Sequence, residues 1–140
     1  MIRRNLFEQI GGYDPEYFLT IDDVCDLCMR VQNTGSRVVF LGEEEVVHVT
    51  ARSCVQARFI VVWQGNRCAV YHFLKHKGIV PALAASFLLL VAAAARVAIA
   101  AILGIASAYY RNIARIYARV CWGLVVRNPI WDRSSVRGRD

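Results

Sequence analysis

The 140-residue chain carries 17 Lys and Arg against 11 Asp and Glu, is 56% hydrophobic and holds five cysteines. Its charge is segregated: nine acids and four arginines lie up to Glu45, a net of −5, whereas ten Lys or Arg and no acid occur from Val46 to Trp131. This argues against one evenly mixed globule and against a disulfide framework, and it favours a reduced, cytoplasmic setting in which the basic, apolar half meets anionic lipid rather than nucleic acid.

Ile2, Leu6, Phe7 and Ile10 share one face of a short helix over residues 2 to 10, which Gly11 stops. Gly11 and Gly12 can then take positive φ and reverse the chain. Tyr13, Pro15, Tyr17 and Phe18 form an aromatic approach to the pair Asp22-Asp23, with Phe18 rather than Tyr13 expected in the core. A second helix from about Asp23 to Asn33 should bury Leu27, Cys28 and Val31 and end at Gly35. The Val-Val-Phe run within Arg37 to Leu41 reads as a short buried strand. Gly42-Glu43-Glu44 reads as a polar turn and Glu45 to Val49 as a second strand, so this part is expected to form an α/β layer.

Cys54 to Lys77 reads as a connecting helix stopped by Gly78, with Trp63, Tyr71, Lys75 and Lys77 placed as a membrane interface belt. Pro81 suits the first turn of the next helix. Seventeen uncharged residues follow from Ile79 to Ala95, Arg96 interrupts, and Val97 to Tyr110 continues the apolar run. Seventeen is near the lower limit for crossing a hydrocarbon core of about 30 Å. Basic residues flank the run on both sides, so a monotopic helix or a hairpin dipping into one leaflet on the cytoplasmic face is preferred to a single transmembrane span. A packed soluble helix ranks third. Arg111, Arg115 and Arg119 repeat every four residues opposite Ile113, Ile116 and Val120, the pattern of an interfacial helix, and a polar tail follows from Pro129.

The chemistry-bearing residues concentrate near the N-terminus. Asp22 and Asp23 stand where a helix begins, and free N–H groups and the helix dipole can hold them there without burial. A plain N-cap is the competing reading. Cys25-x-x-Cys28, with His48 and Cys54, could suggest zinc, but two cysteines inside one helix with no second paired motif read more readily as small apolar side chains.

As an ordered series, Arg3-Arg4, Leu6-Phe7, Gly11-Gly12-Tyr13-Asp14, Tyr17-Phe18, Asp22-Asp23, Asp26-Leu27-Cys28-Met29-Arg30, Val38-Val39-Phe40 and Val46-Val47-His48 resemble the second half of the catalytic domain of family 2 glycosyltransferases. Two residues, Val24 and Cys25, separate the acid pair from Asp26 where that family usually has one; an added residue turns the pair by about 100° relative to the helix.

The resemblance implies an α/β fold, a partial GT-A (Rossmann-like) unit over residues 1–53, followed by a connecting helix (54–78), apolar and basic membrane-associated helices (79–128) and a polar tail (129–140). It implies transfer of a sugar from a nucleotide-sugar donor to a glycan or lipid-linked acceptor hydroxyl, with inversion, in cell-surface polysaccharide or glycolipid synthesis. Asp23 would be the catalytic base, with Asp22 orienting the acceptor and Asp26 structural. Tyr13, Tyr17 and Arg52 would contact substrate. His48 would help hold a divalent metal, Mn²⁺ or Mg²⁺, on the donor diphosphate. The donor-binding half of such a domain does not appear ahead of Met1, so the chain is expected to be a C-terminal fragment or to need an N-terminal partner chain, and to be inactive alone. A non-enzymatic membrane-associated adaptor is the alternative.

Overall fold

The computed structural model describes residues 1–18, 22–43, 45 and 58–132. Five helices occur among them: α1 (Arg4–Gln9), α2 (Asp22–Asn33), α3 (Arg58–Lys77), α4 (Ile79–Leu103) and α5 (Ala108–Val126). Helices α3, α4 and α5 form an up-down-up bundle, and α1 and α2 make a small unit docked through α2 onto α3.

The expectation of an α/β, partial GT-A layer is corrected: the described residues are helical or irregular, with no strand. Arg37 to Leu41, read as a buried strand, forms no regular element and pairs with no described residue, and Phe40 is 94% exposed. β-branched composition alone cannot make a strand. The backbone groups need a neighbouring strand to bond, and the apolar face needs a layer to cover it. The second expected strand, beyond Glu45, lies outside the described residues.

Local signals at the helix ends are obeyed. Helix α1 ends at the Gly11-Gly12 pair, at φ 78° and 70°, and Gly12 lies so near the Phe7 ring that a Cβ there would sit 3.3 Å from it. Only Gly78, at φ 88°, separates α3 from α4, and the two helices pack against each other. Arg96 interrupts the apolar run but not the helix. Helix α4 continues through it for 25 residues, about 37 Å at 1.5 Å per residue. By length and composition it can cross a membrane.

Val70, Ala82, Ala93, Val120 and Leu124 form the buried core, with Trp63, Leu74, Leu89, Tyr117 and Ile130 packed around it. Trp63, read as an interface residue, instead lies over Gly123, and a Cβ on Gly123 would overlap its ring. Beyond Asp132 the expected polar tail lies outside the described residues. Asn128 is fully buried, donates to Ser86 Oγ at 2.6 Å and to the Leu124 carbonyl at 2.9 Å, and Pro129 is buried beside it.

Gly123→Ala is expected to lower stability by about 1–3 kcal/mol through overpacking against Trp63, read as a fall in the thermal midpoint, whereas Gly65→Ala should lower it little or raise it. Gly65 has open space where its Cβ would go.

Candidate functional site

The Asp26 carboxylate occupies the junction of the two units and is fully buried. Its Oδ2 accepts from Arg30 Nε at 2.7 Å, and its Oδ1 lies 2.6 Å from Lys75 Nζ and 2.8 Å from His76 Nε2. Arg30 is one turn along the same helix, at the spacing where opposite charges meet. Lys75 and His76 come from the last turn of α3, where cations also complement the helix dipole.

Arg30 uses its remaining donors on the glycine turn, with Nη1 bonding the Ile10 carbonyl and Nη2 the Gly12 carbonyl, both at 2.7 Å. The turn before the aromatic run is thereby tied to α2. Asp14, just after that turn, completes the arrangement: its Oδ2 accepts from Lys75 Nζ at 2.6 Å and from Tyr71 Oη at 3.1 Å. Lys75 thus bridges two carboxylates.

Burial alone would raise both of these carboxyl groups. Hydrogen bonds and charge from Lys75, joined at Asp26 by His76 and Arg30, outweigh that and hold both below the ordinary carboxylate value. Tyr17 and Tyr71 stack edge to face at 5.1 Å, and burial beside these acids pushes both phenols well above their usual range. His72 is shifted the other way. Burial and the His76 ring 4.8 Å away lower its pKa against the upward pull of Asp22 and Asp26.

The residues singled out from sequence fall in different places. Asp22 and Asp23 form the first turn of α2, half-buried, and Asp23 Oδ1 accepts from the Val24 N–H at 2.7 Å. Among the described residues neither has an ion-pair partner, whereas Asp14 and Asp26 take up the nearby cations. Tyr13 is 52% exposed and lines an apolar groove of about 720 Å³ with Leu6, Val24, Leu27 and Val39. Tyr17, by contrast, is buried under α3 with its hydroxyl 3.4 Å from His72 Nδ1, so its ring is committed to packing. Phe18 is exposed; Tyr17 has the buried position expected for it. His48, Arg52 and Cys54 lie outside the described residues. Among the described ones no cluster of three His, Cys, Asp or Glu could hold a metal.

Sequence reasoning missed Tyr71, His72 and His76 as site residues and assigned Lys75 to a membrane belt. The signal was available: Tyr71 with Lys75 and His72 with His76 repeat at four residues, facing an N-terminal segment with surplus acid.

Two outcomes are expected. Asp26→Ala leaves three cationic or donor groups facing a void and should cost about 3 kcal/mol, detected as early proteolysis of α1–α2 relative to the bundle. The low-pKa groups are stabilising above their unfolded values, and that contribution is lost as pH falls through the folded values. The contribution of His72 therefore begins to fade below the model imidazole value of 6.5, and those of Asp14 and Asp26 below 3.8. A thermal midpoint followed from pH 8 to pH 3 should fall in two stages, and His72→Gln should remove the first.

No family model matches the chain. No solved structure matches it either. A stretch of 53 residues is 40% identical to the N-acetylglucosaminyl-diphospho-decaprenol L-rhamnosyltransferase of Mycobacterium tuberculosis, in strain CDC 1551 / Oshkosh and in strain ATCC 25618 / H37Rv alike. That stretch covers 38% of this chain and 17% of each relative's length. At a coarse level, this partial match relates the chain to glycosyltransferases.

Proposed function

We propose that the chain supplies the acceptor-side acid pair of a glycosyltransferase that moves a sugar from a nucleotide-sugar donor to a hydroxyl of a glycan or lipid-linked acceptor, with inversion. One observation carries the reading: Asp22 and Asp23 open α2 with no ion-pair partner among the described residues, while Asp14 and Asp26 bind the surrounding cations. A carboxylate that is fixed by a helix terminus but not neutralised by a cation can accept a proton.

In this scheme Asp23 takes the acceptor's proton as the acceptor oxygen bonds to the anomeric carbon, and the nucleoside diphosphate leaves with the electron pair of the broken bond. Asp22 hydrogen-bonds the acceptor and sets its approach. Tyr13, exposed at the mouth of the neighbouring groove, offers a ring face to a sugar. The described residues do not by themselves fit a divalent metal, so no step is routed through one. The relatives' rhamnosyl transfer to a diphospho-decaprenol carrier supports a lipid-linked acceptor.

The test is a hybrid in which the matched 53-residue stretch of the mycobacterial relative is exchanged for that of this chain. Sugar incorporation into a lipid-linked acceptor should persist, and Asp23→Asn in the hybrid should lower kcat by about 10²–10⁴-fold with donor KM unchanged. Asp22→Asn should act mainly on acceptor KM. A folded hybrid without activity, or one indifferent to Asp23→Asn, would leave the adaptor reading in its place.

A further inference from the structure

Helix α4 has two unlike faces. Ala82, Ala93 and Ala100 are buried, and such small side chains let α3 and α5 approach closely. On the other side Val80, Leu83, Phe87, Val91, Ala98 and Ile102 follow at helical spacing, all exposed, with Phe87 at 65% and Ile102 at 69%. The helix's one charged residue is kept off this stripe: the Arg96 guanidinium lies over the Tyr117 ring at 5.5 Å and donates to the Ala92 carbonyl at 3.1 Å. An uncharged face running the length of a 25-residue helix is more apolar surface than a soluble monomer ordinarily leaves bare.

The neighbouring helix indicates what covers that face. Helix α5 runs antiparallel along α4, joined at one end by Arg111 Nη1 donating to the Gly104 carbonyl at 2.8 Å and at the other by Asn128 donating to Ser86. Ile116, Val120 and Leu124 face inward, and Arg111, Arg115 and Arg119 lie off that face along the flank of the bundle, all exposed, with the Arg119 guanidinium 3.9 Å over the Phe59 ring of α3. If α4 stood upright across a bilayer, α5 would cross with it and carry these arginines to hydrocarbon depth, where charge is strongly disfavoured. Laid flat, the same bundle sinks the apolar stripe into the acyl boundary and keeps the arginines at headgroup level. From Arg58 to Trp131 there is no acid to repel an anionic surface.

We propose that the outer face of α4 is a membrane-embedding surface, with α4 lying in the plane of one leaflet of an anionic bilayer and the α5 arginines meeting lipid phosphates. The chain rests on the membrane and does not cross it, even though α4 is long enough to do so. This placement stands apart from the sugar-transfer reading, because no residue of the acid pair takes part in it.

The full chain is mixed with vesicles of phosphatidylglycerol and phosphatidylcholine and sedimented. Binding should be tight, should weaken at least tenfold on neutral phosphatidylcholine vesicles, and should fall at least tenfold with Phe87→Glu or Val91→Glu. Both substitutions are at exposed positions, and unchanged circular dichroism shows that the fold persists. Arg115→Glu should weaken binding to anionic vesicles alone. For orientation, Lys77→Cys and Ser107→Cys at the two ends of α4 are treated with a membrane-impermeant maleimide outside the vesicles, and labelling is read as the increment over wild type. Labelling of both ends supports an in-plane helix. Protection of one end shows a crossing and overturns the proposal, as does vesicle binding indifferent to the glutamates, or a dimer in solution that hides the stripe and binds no lipid.

Discussion

A buried carboxylate sets the relation between the two parts of this molecule. Asp26 has no contact with solvent and is satisfied only because one cation comes from its own helix and two further donors from the end of α3. An ion withdrawn from water this far is tolerated only when such partners meet it, so docking requires all three donors in place. The junction is therefore specified by charge and hydrogen bonding, and the bundle by burial of Val70, Val120, Leu124 and the alanines of α4.

That division has a consequence for the acid pair. Lys75 spans Asp14 and Asp26, and Arg30 holds the carbonyls of the glycine turn, so the cations near the start of α2 are occupied. Among the described residues Asp22 and Asp23 have no ion-pair partner in the first turn of α2. Asp26, one turn into the helix, meets the Lys75 and His76 side chains of α3, whereas Asp22 and Asp23 in the first turn make no ion pair with a described residue. The same network ties α2 to a bundle that carries a bare apolar stripe on α4 and exposed arginines on α5.

Much of the local structure was legible in the sequence. The glycine stops after α1, α2 and α3, the first-turn acids of α2, the opposed faces of α5 and the mostly apolar character of α4 follow from spacing and residue type, because each depends on contacts within about one helical turn. Where the sequence misled, the missing information was a partner. Val38-Val39-Phe40 has strand composition, but without a paired neighbour among the described residues it stays irregular and exposed. Tyr71, Lys75 and Trp63 have the composition of an interface belt, yet two of them bond Asp14 and the third packs on Gly123.

By itself, then, the sequence determined that this chain has an acidic, turn-rich beginning and a basic, apolar helical remainder, since charge, periodicity and glycine placement are properties of neighbours along the chain. Only the tertiary structure decided that Asp26 is the buried tie between them, that Tyr17 and not Phe18 fills the space beneath α3, and that α4 shows one bare aliphatic face with its arginine turned aside. Those outcomes depend on which side chains from distant segments arrive at the same place, and a carboxylate's role depends on whether a cation arrives with it.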